Sequence, residues 1–305
     1  MENIANLLNL LKSGDFKTIG RCITIVENDL PGNDALLTSI TINKNVPIIG
    51  ITGPPGAGKS SLVNGMLAEL LKEAKRIGIL AVDPTSPFNL GSILGDRVRM
   101  SEHFNNPNVY IRSIATRGSL GGLSAKIIEI TDIMRSANFD IIIVETVGVG
   151  QSEIEIVGLA DITVLVLVPE AGDEIQQLKS GVMEIADVFA INKADRPGAD
   201  VYLSHLYSLL HTASPDKKQA QIVKTIATKN EGIKELLTAC RLMLNQQNPQ
   251  LKTYLLAEKA YKLIQNERMK DINKLNLKAA LEQAYADEHF NLYTFVKAFM
   301  KTSTH

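Results

Sequence analysis

The chain has 305 residues, 45% of them hydrophobic and 21% charged, a balance that supports a real core and a length that suits one large α/β domain with appendages. A net charge of -1 supplies no general field for nucleic acid or acidic membranes, so neither is expected as a partner. Two cysteines, Cys22 and Cys240, lie too far apart for ligand spacing, which speaks against a disulfide framework or a structural zinc site and suits a reducing compartment; with no basic-then-apolar leader and no apolar run of roughly 18 residues, a cytoplasmic protein is expected.

Residues 1–46 read as a helical segment ahead of the main domain. Ile4, Leu7, Leu8 and Leu11 share one helical face, as do Phe16, Ile19, Ile23 and Val26, with breaks at Gly14 and Pro31-Gly32. Such stripes are usually core, so the segment is expected to pack on the outside of the domain. From residue 47 to 248, strand-like runs at 48–52, 77–82, 109–114, 141–144, 162–168, 187–191 and 222–226 alternate with helical patterns. That alternation predicts an α/β fold, a mainly parallel sheet with helices on both faces. The runs IIIV and ITVLVLV are apolar almost throughout, as strands covered on both faces should be. In such sheets ligands collect beyond the carboxyl ends of the strands. Strand signals stop at Pro249, and residues 249–305 form a helical tail with stretches at 251–268, 276–287 and 291–301; Leu292, Phe295, Val296 and Phe299 make a stripe at helical spacing. The tail can cap the domain or pair with a second copy.

The chemistry starts where run 48–52 passes into GPPGAGKSS. Gly53, Gly58, Lys59 and Ser60 satisfy G-x-x-x-x-G-K-[ST] between a strand and a helix whose Leu62, Val63, Met66, Leu67 and Leu70 share a face. This is the phosphate loop of a P-loop NTPase, with Gly53, Pro54, Pro55, Gly56, Ala57, Gly58, Lys59, Ser60 and Ser61 as the expected contacts. Its backbone N–H groups curl round a phosphate at the positive end of the helix. Lys59 reaches the β and γ phosphates, and Ser60 ligates Mg²⁺.

Between the second and third runs lie further candidates. Asp83 opens a segment, DPTSPFNLGSILGDRVRM, that contains Asp96, Arg97 and Arg99; Arg112 and then Arg117, in ATRGSLGGLS, follow. Carboxylates here can position Mg²⁺ or the attacking water, and an arginine can neutralise charge on a γ-phosphate, although each arginine taken singly is more readily a structural ion pair. Run 141–144 ends in Glu145-Thr146-Val147-Gly148-Val149-Gly150-Gln151. Glu145, where many GTPases carry Asp, can hold the Mg²⁺ shell, while Gly148 can offer its N–H to a γ-phosphate and swing when that phosphate leaves. Gln151 is a further switch candidate. Ras-like proteins place a glutamine directly after the switch glycine; Val149 stands there in this chain, so intrinsic hydrolysis is expected to be slow and helped by a partner. Run 187–191 ends in Asn192-Lys193-Ala194-Asp195, the N-K-x-D pattern of guanine-specific loops. Asp195 can accept from guanine N1–H and the exocyclic amine, Lys193 can lay its stem against the base, and Asn192 can tie this loop to the phosphate loop.

In order along residues 47–198, GPPGAGKSS, VDPTSPF with GSILGDRVRM, ATRGSLGGLS, ETVGVGQSE, AGDEIQQLKSG followed by MEIAD, and NKAD resemble the blocks of the MeaB/ArgK family, SIMIBI-class P-loop GTPases that chaperone adenosylcobalamin-dependent acyl-CoA mutases. The N-terminal ITIVEN and the tail resemble that family more loosely. The resemblance implies a GTPase using GTP/GDP and Mg²⁺ that gates cofactor delivery to methylmalonyl-CoA mutase or a related mutase, blocks loading of damaged cofactor and helps restore inactivated enzyme. It implies a homodimer formed by the tail. Lys59, Asp83, Asp96, Glu145 and Gly148 would then serve catalysis; Ser60, Asp83, Asp96 and Glu145 would surround the metal; and Asn192, Lys193 and Asp195 would read guanine. Residues 171–181 resemble an additional switch through which mutase and nucleotide communicate, with Lys179 as the ionic contact. Two positions depart from the family pattern. In IATKNEGI, Ile226 replaces the usual serine of the last guanine loop, leaving Ala227 to supply its backbone N–H beside Thr228. Leu90-Gly91 stands where a glycine pair is usual.

Three other readings compete. A nickel-insertion GTPase of the same superfamily would bring His-rich tracts or Cys-x-x-Cys, and the chain has five scattered histidines and two isolated cysteines. An ArgK-like kinase or ATPase is opposed by the N-K-x-D loop. A module that has lost its chemistry is opposed by intact Lys59, Ser60, Glu145 and Asp195.

Overall fold

A computed structural model describes residues 4–83, 100, 103–115, 126–148, 152–169, 186–213, 221–246, 249–287 and 289–302. Seven strands form one sheet: β1 (Ile48–Thr52), β2 (Ile77–Asp83), β3 (Val109–Ala115), β4 (Ile141–Glu145), β5 (Ile162–Leu167), β6 (Val188–Ile191) and β7 (Gln221–Lys224), in the order β3-β2-β4-β1-β5-β6-β7. Every pairing is parallel, and β1 lies centrally, with Ile49 facing Ile143 of β4 on one side and Ile162 of β5 on the other. The last expected strand, 222–226, begins and ends earlier than its apolar run suggests; Thr225 N–H still bonds the Ile191 carbonyl of β6, and Ile226 turns to pair with Glu231.

The alternation of side chains along β5 shows why both faces must be covered. Val164 and Val166 point into a core shared with α4 (Lys59–Lys72), whose Leu62, Val63, Met66, Leu67 and Leu70 are all buried. Leu165 and Leu167 point the other way, into a cluster with Phe189, Ile191 and the Tyr202, Leu206 and Leu210 stripe of a later helix, Ala199–Ala213. A strand with no polar face reads as a continuous apolar run, and β1, β4, β5 and β6 are buried at every position. Gly50 shows how closely the layers approach: a Cβ there would lie 2.5 Å from Ile156 Cγ1 in the helix Ser152–Leu159.

The N-terminal segment forms α1 (Ile4–Ser13), α2 (Phe16–Glu27) and α3 (Asn33–Ser39), with Leu7, Leu11, Ile19, Ile23 and Val26 buried. It is fixed by an aromatic group drawn from three elements. Phe16 lies 5.4 Å from Tyr110 of β3 and 6.3 Å from Phe139, and the Arg76 guanidinium sits 4.8 Å from the Phe16 ring centre while donating to the Gly14 carbonyl. Burial pushes the Tyr110 phenol up to about 12, so it stays neutral. Gly14, at φ 82°, leaves room for that arginine.

Residues Met1–Pro249 make one compact unit and Gln250–His305 another. The second contains most of the helix Pro249–Arg268, then Lys274–Tyr285 and Leu292–Thr302. Its rings chain together, Tyr285 to Phe290 at 5.3 Å, Phe290 to Phe295 at 6.2 Å and Phe295 to Phe299 at 5.8 Å. No hydrophobic side chain of this unit is buried among the described residues, and Tyr254, Tyr261 and Ile264, at helical spacing, are more than half exposed.

Asp15 caps α2, its carboxylate accepting from the Thr18 N–H at 2.7 Å and the Thr18 hydroxyl at 2.6 Å. The hydroxyl contact, then the backbone one, hold its pKa below the ordinary 3.8. A carboxyl with a depressed folded-state pKa stabilises above its unfolded value and loses that contribution as pH falls through the folded one. Asp15→Ala is expected to lower stability by about 1 kcal/mol at neutral pH, with the urea midpoints of the two proteins converging in acid below about pH 4. Midpoints that already coincide at pH 7 would remove the cap from the account.

Candidate functional site

The carboxyl ends of β1, β4, β6 and β7 bring the polar sequence motifs together. The loop after β1 turns through Gly53, Gly56 and Gly58 at φ 139°, 77° and 88°. Two of these are forced by neighbours as well as by backbone angle: a Cβ on Gly53 would meet the Val166 carbonyl oxygen at 2.2 Å, and one on Gly58 the Asn192 Nδ2 at 2.4 Å. Ala57 N–H donates to the Pro54 carbonyl at 3.3 Å, closing the turn, and Gly58 caps α4. Pro55 and Gly56 form the exposed lip, Pro54 and Ser61 are half-buried, and Ala57, Lys59 and Ser60 are buried beneath. Successive N–H groups at the start of a 14-residue helix are an anion cradle.

Lys59 Nζ donates to the Gly53 carbonyl at 2.9 Å and the Pro54 carbonyl at 3.1 Å, which holds the ammonium along the inner wall of the loop. Ser60 Oγ donates to Glu145 Oε1 at 2.7 Å, both residues being buried. The hydroxyl and carboxylate that the sequence assigns to one metal are thus in contact, and paired oxygen donors of this kind suit a hard cation. Ser60 and Glu145 would hold Mg²⁺, which when bound neutralises charge on bridging phosphate oxygens. Asp83 is the last residue of β2, in register with Ala115. Asp96, Arg97, Arg99, Arg117, Val149, Gln151 and Lys179, with Leu90-Gly91, lie outside the described residues.

The segment after β4 is drawn onto the phosphate loop. Thr146 N–H donates to the Ile51 carbonyl at 3.0 Å, and the Thr146 and Thr52 hydroxyls meet at 3.0 Å in full burial. Gly148, at φ 82°, then comes so close that a Cβ would lie 2.2 Å from the Gly53 carbonyl oxygen and 2.6 Å from Lys59 Nζ. The glycine expected to sense the γ-phosphate therefore touches both the loop and the lysine that serve it.

The N-K-x-D loop is framed equally tightly. Asn192, 2% exposed, donates from Nδ2 to the Ala57 carbonyl at 2.9 Å and accepts at Oδ1 from the Thr225 hydroxyl at 3.2 Å and the Ala227 N–H at 3.1 Å. Lys193, at φ 56°, donates from Nζ to the Gly56 carbonyl at 2.8 Å. Ile226 exchanges backbone hydrogen bonds with Glu231, so its side chain contributes no polar group where a serine hydroxyl would be, and Thr228 is exposed in the short 3₁₀ turn Ala227–Lys229. Asp195 projects towards that turn, with Lys229 Nζ 3.6 Å from Oδ2. Arg112 is engaged elsewhere, in an ion pair of 3.0 Å with Glu27 of α2. The sequence reading missed Thr52, Thr225 and Lys229; Thr225 could have been noticed as the residue before the last guanine loop, whereas Thr52 and Lys229 carry no pattern of their own.

Lys59→Ala is expected to lower GTP turnover by about 10²–10³-fold, the usual loss for one positioned donor to developing charge, and to weaken nucleotide binding; undiminished turnover would remove the phosphate-loop assignment. Gly148→Ala should leave Mg²⁺-GDP binding within a few-fold of the parent yet cut turnover by about 10²-fold, since the methyl holds the segment off the loop; equal losses in both would make Gly148 a merely structural position. Asp195→Asn should lose most of a GTP-over-ATP preference on the order of 10⁴-fold, read by competition binding.

Comparison with known proteins agrees with this geometry. The model of the family described as "Methylmalonyl Co-A mutase-associated GTPase MeaB" matches residues 19–279. A putative GTPase of Pyrococcus horikoshii is 46% identical over 241 residues, 77% of this chain and 76% of its own length. The GTPase ArgK of Escherichia coli is 32% identical over 302 residues, 95% of this chain and 88% of its own. Among solved structures, a LAO/AO transport system kinase superposes with a TM-score of 0.66 over 99% of this chain and 98% of its own; at 24% identity it shares the fold. A family match that spans the phosphate loop, the Glu145–Gly148 segment and the N-K-x-D loop, on a sheet that brings those three together, places this GTPase in the MeaB family.

Proposed function

We propose that GTP hydrolysis by this protein times the loading, protection and reactivation of an adenosylcobalamin-dependent acyl-CoA mutase, with methylmalonyl-CoA mutase as the client. The observation that carries the reading is the contact of Gly148 with Gly53 and Lys59. A segment that touches the γ-phosphate lysine changes position with the state of the nucleotide, and a chaperone needs a surface that does so. The family description supplies the class of partner.

The motif residues divide the tasks of that cycle. The loop N–H groups and Lys59 bind and neutralise the phosphates, and the Ser60–Glu145 pair receives Mg²⁺ together with Asp83 and Asp96. Asp195 accepts from the two guanine donors, while Lys193 and Asn192 keep the base loop in register with the phosphate loop. With valine rather than glutamine directly after Gly148, turnover is slow until the client completes the site, through the switch residues Arg97, Arg99, Arg117, Gln151 and Lys179.

The proposal divides the chain into a helical preface, 1–46, a G domain, 47–248, and a dimerisation tail, 249–305, working in the cytoplasm. A tail unit that buries none of its described hydrophobic side chains while exposing Tyr254, Leu256, Tyr261, Leu275 and Tyr293 supports pairing with a second copy. Among the described residues no helix is long and apolar enough to cross a membrane.

The deciding measurement is GTP turnover by the protein alone and then with an adenosylcobalamin-dependent methylmalonyl-CoA mutase, ATP serving as control. A slow GTP-specific rate that rises at least tenfold with the mutase is expected. GTP turnover that ignores the mutase would leave the GTPase standing and dismiss this client. Light scattering on the full chain should return twice the chain mass; a monomer's mass would dismiss the tail as a dimer element.

A further inference from the structure

We propose that Lys229 is the placeholder for guanine: its ammonium stands beside the Asp195 carboxylate, and guanine binds by displacing it. The inference deepens the guanine-reading assignment of Asp195 and rests on it. Lys229 Nζ lies 3.6 Å from Asp195 Oδ2, with the two side chains 55% and 43% exposed. The backbone leaves little freedom in how the two residues meet. Lys229 closes a 3₁₀ turn, its N–H donating to the Ile226 carbonyl at 2.9 Å, and the next residue, Asn230, is left-handed at φ 57°. Ala194 N–H donates to the Thr225 carbonyl at 3.1 Å, which ties the base loop to the strand end that feeds this turn. Two loops that would flank a base are thus pinned to each other, and the long cationic side chain of one reaches the carboxylate of the other.

The other residues of the N-K-x-D loop hold the frame. Asn192 bonds the phosphate loop, Thr225 and Ala227, and Lys193 bonds Gly56. Asp195 is the member left to recognise a ligand, and it faces Lys229 instead. Guanine offers N1–H and an exocyclic amine to the same two oxygens, so base and ammonium compete for one acceptor group. The ion pair is half-exposed, which limits its worth and makes it sensitive to salt. Adenine presents no such pair of donors and has no reason to displace it. Lys229 thereby keeps the carboxylate oriented while moderating guanine affinity, which favours exchange of GDP for GTP.

The test compares the full chain with its Lys229→Met variant, which keeps the alkyl stem and removes the charge, in binding of GDP and ADP with Mg²⁺ across a salt series. The variant is expected to bind GDP about two- to fivefold more tightly than the parent at low salt, chiefly through faster association. The advantage should shrink towards unity as salt rises past a few hundred millimolar, and ADP binding should be the same in both. Lys229→Arg should restore the parent's affinity. GDP binding by Lys229→Met that equals or falls below the parent's at low salt overturns the placeholder role while leaving guanine recognition intact. A parent that does not prefer GDP to ADP overturns the guanine reading itself. A tighter variant whose advantage is independent of salt overturns the electrostatic competition.

Discussion

The buried amide of Asn192 is the interaction on which the site depends. It is the joint between two loops that come from β1 and β6 and between those loops and the turn after β7. A side-chain amide at 2% exposure has to satisfy its donors and acceptor inside the protein, because leaving one unpaired costs about 1–3 kcal/mol. Here Nδ2 and Oδ1 have opposite partners, so the residue fixes the spacing between the glycine-rich loop after β1 and the turn after β7. Gly58 confirms the closeness of fit: any side chain there would strike Nδ2. Aspartate would lose the donor to Ala57, and a leucine of similar size would leave three backbone and hydroxyl groups without a partner.

The sheet makes such a joint possible. Strands β1, β5 and β6 are adjacent and parallel, so their carboxyl ends open into loops on one edge, and full burial of each strand leaves no freedom for those ends to slide. Rigidity below is matched by deliberate looseness of contact above. Gly148 rests on the phosphate loop through a close approach between backbones, without a side chain to lock it. Glycine at φ 82° can retreat and return with little penalty, which a residue with Cβ could not do. The contact between Ser60 and Glu145 is a single hydrogen bond between two oxygens that would both suit a hard cation.

Much of this was legible in the sequence, and for a reason that particular residues make plain. Runs such as IIIV and ITVLVLV predict buried parallel strands because a strand covered on both faces has no polar alternative, and all seven runs correspond to strands. The phosphate and base loops were legible because their glycines and charged residues sit at fixed spacings. Contacts between distant residues left no such trace. Thr225 lay inside the last strand-like run and proved to be a partner of Asn192, since its role depends on which strand lies beside β6. Thr52 with Thr146, and Phe16 with Tyr110 and Phe139, are joined only through sheet order and helix packing. Arg112, read as one of several candidate cations, meets Glu27, eighty-five positions earlier in the chain.

That last pair bears on how the N-terminal helices belong to the machine. Helix α2 ends at Glu27, and Asp29 follows two residues later, so two carboxylates stand where the helix dipole already presents negative charge. Taken alone, this is the wrong end for acids. The structure supplies the counter-charges from the domain: Arg112 of β3 reaches Glu27 at 3.0 Å, and Lys126, at the start of the helix Ile127–Arg135, reaches Asp29 at 2.8 Å. Burial disfavours the Lys126 ammonium, yet its contacts with Asp29 and Glu129 outweigh that and raise its pKa. The acids at this end of α2 thus gain their counter-charges when α2 is docked, which favours this placement of the helix. Because Arg112 lies three residues from the carboxyl end of β3 and Lys126 opens the next described helix, α2 is keyed to the two elements that flank residues 116–125. The aromatic group around Phe16 anchors the start of α2, and these two ion pairs hold its other end.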